Sequence, residues 1–498
     1  MKETGKIKST DLKKKYIIIL LAFFIDFALL ISALFFKKSK NPNGFIFTDI
    51  KLRIVLVLII FLAIILLIIF VVTILKGPYN LSIKTNTFVE FPSEIENNKT
   101  IIHDDSFLFE RLRCGKDDFL DTTGKYKYME KMDEEEAPEN GSRFYMLTHI
   151  DDIMNYYVEP PYNNKITLKE VCENFRNYSA YKLHLYYDIK DIRRFIASLS
   201  VTKLILLQGM SGTGKTSLAY AFGSYLANKT TVIPIQPMWK ERTDLIGYYN
   251  EFTKKFNETT LLTKMYEACY TKEVYVTVLD EMNIARVEYY FAEFLSLFEL
   301  PNPNSRILDV VSDVWDNDPK LLQDGKLRLP INMWFIGTAN NDDSTFAISD
   351  KVYDRAMVLN LDKKAQAFEG KPTNEEKISV DHLYELFYKA QNKNKLSKRN
   401  ERRLKELDKY LIEVFRITFG NRIKKQIESY TPVVVECGGS ELDALDDILS
   451  RKILRKLEGK NPVYVKSQSE GLINKINELF GENNMPLSID FIKHILAS

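Results

Sequence analysis

Cysteine is scarce: Cys114, Cys172, Cys269 and Cys437 are the only four in 498 residues, and no two stand in a CxxC spacing. A disulfide framework and a cysteine zinc site are both disfavoured by that scarcity, which suits a reducing compartment. The five histidines are scattered, with no HExxH or other metal-ligand spacing. No Ser/His/Asp arrangement and no nuclease signature stands out, and repeats and low-complexity tracts are missing. Charge of one sign is missing too: 69 basic residues against 67 acidic leave a formal net charge of +2, which argues neither for nor against a nucleic-acid partner.

Long apolar runs, in contrast, are present near the N-terminus. Residues Tyr16 to Phe36 and Ile54 to Leu75 are each long enough to cross a ~30 Å hydrocarbon core as a helix, and the second carries no charge. The alternative is a signal peptide followed by a buried core helix. Against it, the first run exceeds an ordinary signal-peptide apolar region and lacks a convincing cleavage site after it. The expected order is a basic cytoplasmic N-terminus (1–15), a first membrane helix (16–36), a short loop (37–53) and a second membrane helix (54–75). Asp26 lies mid-run, where a carboxylate either faces a neighbouring helix or water or stays protonated in a packing role. Residues 80–188 resist assignment. They hold the acidic run from Met132 to Ala137 and the pair Pro160 and Pro161, signals of loops between short elements.

From Ile189 onward, short apolar runs alternate with helical stretches. Strands are expected at Lys203–Gln208, Thr231–Gln236, Val274–Leu279, Met333–Gly337 and Ala356–Leu361, and a helix at Val287–Glu299. This pattern indicates an α/β three-layer fold, helices on both sides of a parallel sheet, with the ligand at the carboxyl ends of the strands. The first run leads directly into GMSGTGKTS, residues Gly209, Met210, Ser211, Gly212, Thr213, Gly214, Lys215, Thr216 and Ser217. The spacing is that of a phosphate-binding loop. Its glycines let successive N–H groups and the next helix's N-terminus face phosphates, Lys215 reaches the β/γ-phosphates, and Thr216 holds Mg²⁺.

Two carboxylates, Asp280 and Glu281, follow VYVTVL. The first suits Mg²⁺ bound through water and the second suits polarising the attacking water, although such a pair alone also caps helices. Asn340 ends a later strand and is delivered to the same crevice, where turn formation is its bland role. A nucleoside triphosphate with Mg²⁺ requires the cytosol, so the C-terminal part and the N-terminus both lie inside. Lys2, Lys6, Lys8, Lys13, Lys14 and Lys15 agree with that orientation, while Lys37, Lys38, Lys40, Lys51 and Arg53 do not.

These segments, with VLDEMNIARVEYYFAEFLSLFE, WFIGTANNDDSTFAISDKVYDRA and DLIGYYN (Asp244 to Asn250), resemble an AAA+ ATPase of the McrB-like branch, related to MoxR-type proteins. The resemblance spans roughly 189–459. It implies an AAA+ core at 189–365 and a helical lid with a C-terminal region at 366–498, the whole preceded by the membrane hairpin. Asn340 is then sensor 1, Arg355 an arginine finger entering a neighbour's site, and Arg422 a sensor 2. The plain alternative for Arg355 is an ion pair with Asp350 or Asp354. Asp343 matches the aspartate of the family's MNxxD signature. This chain has AN in place of MN, so a GTP preference does not carry over and ATP is the default. Lys452 to Gly459, KILRKLEG, also resembles the end of such modules.

The implied assembly is a homo-oligomeric, hexameric ring at the membrane, acting on an unidentified protein partner or effector. In a defence system, the setting of many McrB-like ATPases, destructive chemistry would come from that partner or from the membrane itself. A second reading is a nucleotide-gated membrane effector whose assembly alters permeability. The basic stretch Lys393 to Lys405 reads as a solvated helix face, so nucleic acid is not indicated.

Overall fold

A computed structural model describes residues 141–340, 345–361 and 364–497. The two apolar runs, Asp26, the acidic stretch and Asp343 lie outside the described residues. Among the described residues no helix is long and apolar enough to cross a membrane.

Among the described residues nine strands occur in chain order: β1 (Leu204–Gly209), β2 (Thr231–Pro234), β3 (Gly247–Asn250), β4 (Lys255–Glu258), β5 (Tyr275–Asp280), β6 (Ile307–Asp309), β7 (Lys326–Arg328), β8 (Met333–Asn340) and β9 (Met357–Asn360). Five form a parallel sheet in the order β2-β5-β8-β1-β9, while β3-β4 and β6-β7 are separate antiparallel hairpins. The apolar runs are continuous because both faces of the sheet are covered. Ile205 and Leu207 of β1 join Trp334, Ile336 and the helix residues Phe175, Phe195 and Phe222 on one side. Leu204 and Leu206 join Phe335, Leu261 and Phe294 on the other. Each fully buried aliphatic or phenyl side chain contributes about 1.5–3 kcal/mol.

All five sheet strands fall where the sequence pattern puts them, with different ends. β2 closes at Pro234, with one further bond to β5 from the Ile235 N–H to the Asp280 carbonyl at 3.1 Å, and as an edge strand it tolerates the proline, whose missing N–H would face away from β5. β8 runs on to Asn340 because it stays in register with β1 as far as Gly209. The single helix expected at Val287–Glu299 is two, Val287–Tyr290 and Ala292–Glu299, broken at Phe291 with φ −108° and ψ 6°. The break lets the Phe291 and Phe294 rings stack at 4.9 Å, with both rings against Phe335 of β8.

Part of the unassigned 80–188 segment also has a structure. Phe144, Leu147 and Ile150 belong to one buried cluster, and Leu168, Val171 and Phe175 to the other. The helix Leu168–Leu183 starts with a capping box, in which Thr167 and Glu170 satisfy each other's backbone N–H. Beyond the sheet, in the region expected as a lid, come helices Val380–Lys393, Lys398–Phe415 and Asn421–Glu436. Helices Glu441–Ile448, Pro462–Phe480 and Pro486–Ala497 follow, after a wide π turn at Leu449–Ile453 and a 3₁₀ turn at Leu454–Leu457. Lid residues Phe387, Leu407, Phe415 and Tyr430 share the buried cluster that holds Phe175 and Phe222. Along Lys398–Phe415, Leu404, Leu407 and Leu411 are buried while Lys398, Arg399, Arg402 and Lys405 are exposed, as a solvated amphipathic face requires.

The helix after the phosphate loop packs its Gly223 against the chain that returns to β2. A Cβ there would lie 2.0 Å from Thr230 Oγ1 and 3.0 Å from the Asn228 carbonyl oxygen. Gly223→Ala is expected to lose about 1–3 kcal/mol in chemical denaturation, the usual cost of overpacking. Unchanged stability would mean that the Asn228–Thr230 loop yields freely.

Candidate functional site

The carboxyl ends of β1, β5 and β8 meet in the middle of the sheet, and each is followed by one part of the site. After β1, the loop turns on residues with positive φ: Gly209 (+145°), Gly212 (+74°) and Gly214 (+88°). Gly209 is confined as well as turned, since a Cβ would stand 2.5 Å from the Leu361 carbonyl oxygen. Gly214 then opens the helix Lys215–Tyr225. Its first residues Lys215, Thr216 and Ser217 are buried at the helix N-terminus, where the backbone partial charge favours anions. The Lys215 ammonium curls over the loop and donates to the carbonyls of Met210 (2.7 Å) and Gly209 (3.3 Å). Thr213 Oγ1 donates to the same Met210 carbonyl at 2.9 Å. An ammonium held by neutral carbonyls forms stronger, charge-assisted bonds with a phosphate, so the loop is built to exchange the one for the other.

At the end of β5, Asp280 is buried and its Oδ1 accepts from two hydroxyls, Thr216 Oγ1 at 2.8 Å and Thr338 Oγ1 at 2.9 Å. Thr338 in turn accepts the Glu281 N–H at 2.9 Å, so one hydroxyl orients both acidic residues. Glu281 has φ 50° and ψ 45°, left-handed backbone that costs a residue with a Cβ roughly 1–2 kcal/mol. The turn takes its side chain off the strand line and into solvent. Asn340, at the end of β8, is the register partner of Gly209. Asn283, two residues past Glu281, donates to the Asn340 carbonyl (3.0 Å), Thr345 Oγ1 (2.9 Å) and the Phe346 carbonyl (3.3 Å). It thereby ties Asn340 to Thr345 and Phe346.

Sequence reasoning did not pick out Thr338 or Asn283. A threonine among the apolar residues of β8 was the available signal for the first. The second, one more polar residue after Asp280 and Glu281, gave none.

The two arginines lie elsewhere, and together. Arg355 Nη2 pairs with Glu299 Oε2 at 2.9 Å and its Nη1 donates to the Lys351 carbonyl at 2.7 Å. Arg422 pairs with the other oxygen of Glu299 and lies 4.0 Å from Asp354. The ion partner of Arg355 is thus Glu299, while Asp350 pairs with Arg455 at 2.7 Å. Arg422 stands beside the finger candidate rather than over the loop that includes Lys215.

The site collects an anion cradle, a buried lysine, a hydroxyl–carboxylate pair of hard oxygen donors that fits Mg²⁺, and an exposed carboxylate beside it. Together with the five-stranded parallel sheet, this defines the P-loop α/β fold and phosphate site of a nucleoside triphosphatase. Residues 204–356 match the AAA domain (dynein-related subfamily), and residues 377–498 match a domain of unknown function (DUF8727). The AAA module is an ATPase.

No curated protein matches the chain. Among solved structures, a full-length MCM homolog from Methanopyrus kandleri is similar at 12% identity and a TM-score of 0.32, over 57% of this chain. The matched region spans 59% of that chain.

Removing the Lys215 charge is expected to abolish nucleotide binding, whereas Glu281→Gln keeps binding and stops turnover because only the water-polarising carboxylate is lost. Fluorescent-nucleotide titration and phosphate release separate the two. Full turnover in purified Glu281→Gln protein would remove Glu281 from its role.

Proposed function

We propose that the chain is a membrane-anchored AAA+ ATPase of the McrB-like branch that turns over ATP with Mg²⁺ in a homo-oligomeric, hexameric ring and uses the cycle to remodel or translocate a protein partner. The observation that carries the ring is the place of Arg355. Thr202, before β1, donates to the Arg355 carbonyl at 2.7 Å. β1 starts at Leu204 and runs to Gly209, where the phosphate loop starts, about 17 Å further on at the usual rise, so the Arg355 backbone lies at the opposite end of the strand from the loop. That span exceeds the reach of a side chain, so Arg355 cannot serve the phosphate loop of its own subunit. The arginine belongs to a neighbour's site.

Within each composite site, Lys215 and the loop N–H groups hold the phosphates, Thr216 and Asp280 hold the cation, and Glu281 orients the water. Mg²⁺ supplies charge neutralisation on the phosphate oxygens. Asn340, at the end of β8, would contact the attacking water or the terminal phosphate. Arg355, released from Glu299, neutralises charge on the γ-phosphoryl group of the adjoining subunit, an effect of about a thousandfold or more in turnover. Arg422 shares the same carboxylate, and in this reading it lies with Arg355 at the subunit boundary.

Arg355→Ala protein should bind ATP and hydrolyse it poorly, and mixing it with Lys215→Ala protein should restore part of the activity. In mixed rings some interfaces join an intact loop to an intact finger. If mixed assemblies form and stay inactive, the trans assignment fails.

The membrane part of the reading rests on the runs 16–36 and 54–75. Cysteines introduced at Asn43 and Ser82 should differ in intact cells, with only Asn43→Cys labelled by an impermeant thiol reagent. Labelling of Ser82→Cys alone would put the ATPase on the wrong side of the membrane for its nucleotide.

A further inference from the structure

The four backbone carbonyls around Arg355 are each accounted for, and three of them are held by the C-terminal helical region. The short helix Asp350–Tyr353 ends just before the arginine, leaving carbonyls with no partner inside the helix. The Lys452 ammonium is buried and donates to the carbonyl of Tyr353 at 2.5 Å and to that of Ala356. Gln426 Nε2 donates to the Asp354 carbonyl at 3.1 Å, and Thr202 takes the Arg355 carbonyl. From the same region, the Arg455 guanidinium lies 3.3 Å over the Tyr353 ring and pairs with Asp350. The Tyr353 hydroxyl accepts from Gln208 Nε2 at 2.5 Å, one residue before the phosphate loop. Lys452 sits in the π turn Leu449–Ile453, a rare wide turn that is concentrated at functional sites.

We propose that Lys452 is a positioning residue for the finger: through Lys452 and Arg455, the C-terminal region sets the backbone that carries Arg355 and so controls hydrolysis in the neighbouring subunit. The proposal rests on the trans assignment of Arg355. It gives the region 377–498 a task in the ATPase cycle, because any movement of the π turn moves the finger. It also links each subunit's own loop, through Gln208 and Tyr353, to the arginine it offers next door. Burial pulls the Lys452 amine down to about 7, with Asp354 opposing the shift and Arg422, Arg455 and Lys456 adding to it. The neutral amine keeps two N–H donors for its two carbonyls, so the clamp persists across neutral pH.

The test uses full-length protein in detergent and reads ATP binding, ATP turnover and activity of mixed assemblies. Lys452→Met should bind ATP within about twofold of wild type and lose about a hundredfold in turnover, the scale of a small misplacement of a catalytic group. It should regain activity when mixed with Lys215→Ala, which supplies an intact finger, and should not regain it when mixed with Arg355→Ala. A general folding defect would not reproduce this pairing pattern.

Arg455→Gln alters a partly exposed side chain and should fall in the same complementation group with a smaller loss. It decides the matter if Lys452→Met does not fold. Recovery of either variant by Arg355→Ala, or no recovery by Lys215→Ala while the Arg355→Ala control recovers, overturns the proposal. If the Arg355→Ala control itself fails to recover, the trans assignment falls, and with it the premise.

Discussion

The Asp280 carboxylate is the junction on which the site depends. By accepting the hydroxyls of Thr216 and Thr338, it ties the phosphate-loop helix, the end of β5 and the end of β8 into one unit. The carboxylate is buried, where a lost partner leaves a desolvated charge and each hydrogen bond matters more than at the surface. Thr338 then passes the constraint to Glu281 through its N–H. A cation placed against Asp280 meets an arrangement that the protein has already ordered.

A second polar cluster is formed by Glu299, Arg355, Arg422 and Asp354. It is partly exposed, so each ion pair is weak in the isolated subunit. Weak pairing suits the proposed transfer of Arg355 from Glu299 to a phosphate. The backbone under Arg355 is treated in the opposite way, with every carbonyl from Tyr353 to Ala356 bound. The side chain is held by Glu299 and the Lys351 carbonyl, while its base is fixed at four carbonyls.

Much of this was legible in the sequence where the signal is local. Both-sided burial makes β1, β5 and β8 apolar runs, and the residues just beyond their ends, from Gly209 to Thr216 with Asp280, Glu281 and Asn340, follow from strand position and motif. The break at Phe291 was not legible, because it depends on stacking against Phe335 of a distant strand. Nor were Thr338, Asn283 and Glu299, whose roles exist only through partners far away in sequence. Lys452 stood in a segment noted for its resemblance alone. Nothing in KILRKLEG says that its lysine reaches carbonyls about a hundred positions upstream, since contacts of that kind are set by how the lid packs. Arg422 shows the same limit: the motif indicated a nucleotide contact, and the packing puts it with Arg355.

The left-handed backbone at Glu281 gives this position an unusual mutational economy. Most losses of function in a folded domain are losses of stability, and selection removes both at once. Here glycine, and to a lesser degree asparagine, relieve the strain at φ 50° while deleting the carboxylate. Drift toward greater thermal stability therefore removes the carboxylate, and under the role proposed for Glu281 the glutamate persists only where turnover itself is selected.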